Sequence, residues 1–278
     1  MPLAKINDVN ICYEIYGEGD PVVMVEGYSA KKENWIAQIK PLSQHFKIII
    51  LDNRGTGKSD RPDYPYSMDM FADDIDGLME FLKIEKAHII GKSLGGMIVQ
   101  SFALKYPHRI NKMVLINTTG TLPVNPEEGI KMLVDGYIEY YNATLEDPAR
   151  TFFKKSVQEF DRKFRKKMEE TPKHKFYGLF SAEDLIRETT IDITTPRDLR
   201  NQARAFVDFN ALDKLHNIKN STLILCAEKD RLLPIMMSEK IHERLPNSVL
   251  KVIKGAGHNS NLEKAPEVNQ SIVDFLNN

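Results

Sequence analysis

Short runs of β-branched and other apolar residues alternate along this chain with longer stretches whose apolar positions recur every three or four residues. The runs at 22–25, 47–51, 87–90, 112–116, 222–227 and 249–253 read as strands buried inside a sheet. Residues 10–16 differ: Ile11, Tyr13 and Ile15 alternate with more polar neighbours, which predicts a half-exposed antiparallel strand. Between the strands, residues 68–82 carry Phe71, Ile75, Leu78, Met79 and Leu82 at helical spacing, with Ser67 placed to cap the first turn. Residues 97–106 predict a helix stopped by Pro107, and 266–276 predict a last helix that packs Val268, Ile272, Phe275 and Leu276. Strands alternating with helices predict a mostly parallel sheet with helices on both faces. The stretch 121–200 breaks the rhythm. It is helical in character, rich in Tyr, Phe and charge, and without a convincing strand. A helical insertion is therefore expected at 121–200, over a core formed by 1–120 and 201–278.

Composition narrows the class. The chain has 278 residues, 42% hydrophobic and 28% charged, enough for a core that can shelter a site. Thirty-eight basic against 39 acidic residues leave a net charge of −1, so no general electrostatic pull towards nucleic acid or an anionic membrane is expected. The first residues do not read as a signal peptide, and no apolar run approaches the roughly 20 residues that span a bilayer. Cys12 and Cys226 lie far apart and predict reduced core thiols in a cytoplasmic protein.

The chemistry concentrates at strand ends. Gly91-Lys92-Ser93-Leu94-Gly95 joins a predicted strand to a predicted helix. A nucleophile on so sharp a turn needs small neighbours, since a Cβ at either glycine would collide with the adjoining strand or helix. The turn would lift Ser93 above the carboxyl edge of the sheet, near a helix N-terminus that favours negative charge. The plain alternative is a serine capping a helix in a glycine-rich turn. A serine hydroxyl needs a base, and the base needs an orienting acid. His258 follows the last predicted strand and Asp230 the one before it, so all three fall on loops at one sheet edge. Gly57-Lys58-Ser59 and Gly91-Lys92-Ser93 end like phosphate-binding loops, but Asp52 and Lys86 stand where the first glycine is required. Asp60 replaces the third glycine of a dinucleotide loop, and no His, Cys or carboxylate spacing suggests a metal. No cofactor is expected.

With these segments in place, the chain resembles the α/β-hydrolase family over nearly its whole length. Asp52-Asn53-Arg54-Gly55-Thr56-Gly57-Lys58-Ser59-Asp60 is similar to the family's loop after the fourth strand. Gly257-His258 followed by Glu263, Pro266, Glu267 and Asn269 is similar to its tail. The order Ser93, Asp230, His258 also matches the family. Within it, the chain resembles small-lid carboxylesterases, enol-lactone hydrolases and meta-cleavage-product hydrolases. The resemblance implies an eight-stranded, mostly parallel sheet, a helical lid, and an oxyanion hole built from the N–H groups of Tyr28 and Leu94. It implies hydrolysis of a small-molecule carboxylic ester or lactone through an acyl-enzyme. C–C bond hydrolysis of a vinylogous keto-acid, perhydrolysis, and a ligand-binding receptor that lost turnover are the alternatives. A dehalogenase or epoxide hydrolase would need Asp at position 93.

Two residues depart from the family pattern. Glu26 stands before Gly27 where the family places His, and Lys92 precedes the nucleophile where His, Asn or an aromatic is common. Their strands are neighbours in this fold, so a partly buried Glu26–Lys92 ion pair beneath the oxyanion loop is expected. The basic run 162–167 reads as a solvated helix face. The aromatics of the insertion, among them Tyr137, Tyr140, Phe152 and Phe160, are candidates for pocket lining or for packing.

Overall fold

The computed structural model describes residues 1–122 and 126–278; residues 123–125 of the expected insertion lie outside that description. Eight strands form one sheet: β1 (Leu3–Ile6), β2 (Val9–Tyr16), β3 (Pro21–Val25), β4 (Lys47–Leu51), β5 (Ala87–Lys92), β6 (Ile110–Ile116), β7 (Ser221–Ala227) and β8 (Ser248–Ile253). Their spatial order is β1-β2-β4-β3-β5-β6-β7-β8. The pairs β1–β2 and β2–β4 are antiparallel and the remaining five are parallel. The eight-stranded, mostly parallel α/β architecture expected from the sequence is the one found.

Two elements differ from the reading by pattern. β1 is short, so its alternation was too brief to register, and it is held by pairing with β2. β8 is an edge strand and not a buried one. Val249 and Val252 remain 58% and 37% exposed because β8 has a neighbour on one side only.

The helices of the core are α1 (Ile36–Leu42), α2 (Met68–Phe81) and α3 (Leu94–Lys105). Ser67 accepts a hydrogen bond from the Met70 N–H at 3.2 Å and caps α2 as expected. Alternate residues of the central strands bury into opposite layers. Val23, Val25, Ile49 and Ile89 join α2 and α3 residues such as Phe71, Leu78 and Phe102. Val22, Met24, Ile48 and Ile90 pack with Trp35, Leu42, Val268 and Ile272 on the other face. Apolar runs without alternation are what such double burial requires.

Between β6 and β7 the chain forms α4 (Pro126–Glu146), α5 (Pro148–Glu159), α6 (Arg162–Glu170), α7 (Ala182–Thr189) and α8 (Pro196–Ala203). The expected boundary at 200 falls inside α8. Phe152, Phe160, Met168, Phe176 and Phe180 make a separate apolar cluster in this segment. The charged run on α6 is mostly exposed, with Arg165 paired to Glu169 and Lys166 to Glu170 one turn on. The chain closes with α9 (Ile235–Arg244), α10 (Ser260–Glu263) and α11 (Ala265–Asn277). Cys12 and Cys226 are buried and free. No helix among the described residues is long and apolar enough to cross a membrane.

Candidate active site

β5 ends at Lys92 and α3 begins at Leu94, so Ser93 alone makes the turn between them. It does so at φ 55°, ψ −121°, a conformation that a non-glycine residue adopts only when its surroundings enforce it. The enforcement is visible. The Ser93 N–H donates to Ile116 O at 3.0 Å, and Thr118 Oγ1 donates to Ser93 O at 2.7 Å. A Cβ on Gly91 would sit 2.3 Å from Gly95 O, and one on Gly95 would sit 2.0 Å from Val25 O. Both glycines are therefore steric requirements of the turn. The Ser93 side chain caps nothing, and its Oγ has no hydrogen-bond partner among the described residues. The helix-cap alternative has no support.

Asp230 follows β7 and His258 follows β8. His258 Nδ1 lies 2.8 Å from Asp230 Oδ2, and both side chains are buried. Asp230 Oδ1 accepts the N–H groups of Leu232 and Leu233, each at 2.9 Å. A carboxylate so held fixes the imidazole tautomer with Nδ1–H towards Asp230, which leaves Nε2 as the proton acceptor. The His258 loop is pinned in turn. Asn117 Nδ2 donates to His258 O at 2.6 Å, and buried Glu263 accepts from Gly257 N at 2.7 Å and from Asp161 N at 2.9 Å. Burial pushes the Glu263 carboxyl up to about 7 despite these two hydrogen bonds.

The loop after β3 approaches Ser93 closely. A Cβ on Gly27 would lie 3.1 Å from Ser93 Cβ, and Asn53 Nδ2 donates to Glu26 O at 3.0 Å, which ties this loop to the one after β4. The N–H groups of Tyr28 and Leu94 donate to no group among the described residues. The Tyr28 ring is held by its hydroxyl on Leu199 O at 2.8 Å and by edge contact with Tyr137.

Glu26 and Lys92 do not make the expected ion pair: no contact within 4 Å joins them. Lys92 Nζ instead donates to Asn259 Oδ1 at 2.7 Å, on the residue that follows His258. Glu26 Oε2 accepts from Gly27 N at 2.8 Å, and Oε1 is buried without a partner. Burial raises the Glu26 carboxyl, with the Lys92 charge opposing the rise.

Two adjoining cavities meet at Ser93. Both are lined by Ser93, His258, Tyr28, Tyr137, Lys155 and Glu159. The larger, about 640 Å³, is faced by Met97, Leu122, Ile130, Leu133, Leu232 and Met237. The smaller, about 180 Å³, is faced by Glu26, Lys31, Asn34, Lys92, Glu188 and Asn259. Lys155 and Glu159 lie one turn apart on α5 and pair at 3.2 Å. Sequence reasoning missed both, along with Asn259 and Asn117. Lys-x-x-x-Glu is common on solvated helices, and only the lining of the two cavities shows that this one faces inward. Among the described residues no His, Cys, Asp and Glu cluster could hold a metal ion.

A family model described as alpha/beta hydrolase fold matches residues 20–265. A Caulobacter segnis protein whose name assigns it provisionally as carbamate hydrolase RutD is 27% identical, covering 96% of each chain. A 2-hydroxy-6-oxononadienedioate/2-hydroxy-6-oxononatrienedioate hydrolase of Pseudomonas putida is 29% identical, over 97% of this chain and 92% of its own. The crystal structure of an enol-lactonase from Burkholderia xenovorans shares the fold with a TM-score of 0.81 at 23% identity, covering all of both chains.

Proposed function

Since the chain belongs to the α/β-hydrolase family, a family of hydrolases, we propose that it cleaves a carboxylic ester or lactone through an acyl-enzyme on Ser93. The observation that carries the reading is the buried His258–Asp230 contact of 2.8 Å beside a serine on a strained turn, with Oγ unengaged. Ser93 Oγ attacks the carbonyl carbon while His258 Nε2 takes its proton, and Asp230 stabilises the imidazolium that forms. The N–H groups of Tyr28 and Leu94, free of other acceptors, serve as donors to the oxygen of the tetrahedral intermediate as it gains negative charge. The intermediate collapses as His258 returns the proton to the leaving oxygen. A water then repeats the sequence, with His258 as base, to release the acid and restore Ser93. The helical segment between β6 and β7 serves as a lid that walls both cavities from above. The apolar lobe suits the acyl chain and the polar lobe the leaving group.

C–C bond hydrolysis is the second reading, and the name of the Pseudomonas putida relative favours it. It would use the same three side chains on a keto-acid carrying carboxylate. A panel of short and long acyl esters, lactones and dienoic keto-acids, run beside Ser93→Ala, tests the two. Ester or lactone turnover that vanishes in a folded Ser93→Ala supports the first reading. Keto-acid cleavage alone, or turnover unchanged in Ser93→Ala, refutes it.

A further inference from the structure

The Lys155–Glu159 pair lines both lobes of the cavity, as Ser93 does. It is not an ordinary solvated helix pair. Lys155 Nζ lies 4.7 Å from the Tyr137 ring centroid and 4.5 Å from that of Tyr140, so two aromatic faces hold the ammonium in place. Glu159 is fixed from the other side, where Asn259 Nδ2 donates to its Oε2 at 3.3 Å and the Asn259 N–H donates to its carbonyl at 3.0 Å. Partial burial opposes charge on both groups. Each nevertheless stays ionised: Glu159 raises the Lys155 ammonium, while Lys155, His258 and Lys92 hold the Glu159 carboxyl below its usual range.

The other cations of the polar lobe are also engaged. Lys31 Nζ pairs with Glu188 at 3.3 Å and donates to Ile191 O at 2.7 Å, and Lys92 is turned to Asn259. A carboxylate entering this lobe therefore finds Lys31 and Lys155 already paired with carboxylates and Lys92 hydrogen-bonded to Asn259, with the buried Glu26 carboxyl lining the same lobe. At Lys155 it also meets the Glu159 carboxylate 3.2 Å away from the ammonium. A cationic group drawn to Glu159 meets Lys155 in the same way. A neutral group with hydroxyl or amide character can donate to the carboxylate and accept from the ammonium without separating them.

We propose that Lys155 and Glu159 form a charge-balanced selectivity filter, which admits a neutral hydrogen-bonding group to the polar lobe and rejects a carboxylate or an ammonium there. The proposal deepens the hydrolase reading by naming the substrate class. It rests on that reading for where the bond breaks, but not for what the lobe binds.

The test separates binding from turnover. Three non-cleavable hexyl ethers, ending in a hydroxyl, a carboxylate or a trimethylammonium group, are titrated calorimetrically into Ser93→Ala protein. The same is done with Glu159→Gln, Lys155→Met and both changes added. The filter predicts that the hydroxyl compound binds at least about tenfold more tightly than either charged one to Ser93→Ala. Glu159→Gln should move the carboxylate-to-hydroxyl ratio up by about tenfold, Lys155→Met should do so for the ammonium compound, and the pair together should restore the neutral preference. Ratios measured in one protein sample do not depend on how much of it is correctly folded. Equal binding of all three compounds to Ser93→Ala overturns the filter, as do single variants that leave the ratios unchanged or favour both charged compounds alike. Matching hexanoate esters are offered to the enzyme with Ser93 intact. If none is hydrolysed while the ethers bind in the predicted order, the filter stands and the ester reading falls.

Discussion

Replacing Glu263 by Gln should change how stability depends on pH, and the size of the change follows from where this carboxyl sits. It is almost fully buried and bridges the His258 loop to the insertion through Gly257 N and Asp161 N. In the folded protein burial lifts it to about 7 from an ordinary value of 4.5. The folded state therefore keeps the proton up to near-neutral pH, whereas the unfolded chain releases it near 4.5. Folding takes up a proton in that window, so this group's contribution is most favourable below 4.5, declines as pH rises to about 7, and is flat above. The total decline is about 3 kcal/mol. Glu263→Gln cannot ionise and lacks this dependence, but its amide nitrogen cannot accept one of the two N–H bonds, a loss of about 1 kcal/mol at every pH. The two proteins' stability curves should cross: the variant less stable near pH 5 and more stable near pH 8, the difference changing by about 2–3 kcal/mol. Urea denaturation across that range, followed by fluorescence or circular dichroism, measures it. Parallel curves would show that Glu263 carries the same charge in both states, and the burial argument would fail.

Two further outcomes follow from the site. Asp230→Asn removes the acceptor that sets the His258 tautomer while preserving shape, so kcat should fall by about 10⁴-fold with little change in melting temperature, as in comparable triads; a fall below tenfold would detach Asp230 from the chemistry. Gly95→Ala places a Cβ 2.0 Å from Val25 O, a backbone atom of a central strand, so the variant should lose about 1–3 kcal/mol of stability or fail to accumulate; thermal unfolding equal to that of the parent protein would mean the turn is looser than its contacts imply.

How much of this was legible in the chain depended on whether the cause was local. Gly91 and Gly95 announce the turn because a side chain at either would strike backbone only a few residues away in sequence or on the adjoining strand. Asp230 and His258 were readable because parallel strands deliver their following loops to one edge whatever the packing details. The β8 run reads as buried, since exposure depends on whether another strand lies beyond it, and its Val249 and Val252 carry no mark of that. Register correctly made Glu26 and Lys92 neighbours, for Val25 lies opposite Gly91. The direction taken by a long flexible lysine is a tertiary choice, and it went to Asn259. Lys155 and Glu159 were hidden for a similar reason: their spacing predicts a pair, but not that the pair faces a cavity.

Covalent labelling tests directly whether Ser93 is an activated nucleophile. The protein is incubated with an alkyl fluorophosphonate and the adduct located by peptide mass spectrometry. One stoichiometric adduct on Ser93 is expected, formed in step with loss of hydrolysis and strongly slowed by His258→Ala. A folded protein that hydrolyses esters while Ser93 stays unmodified, or that is labelled as fast after His258→Ala, would contradict it.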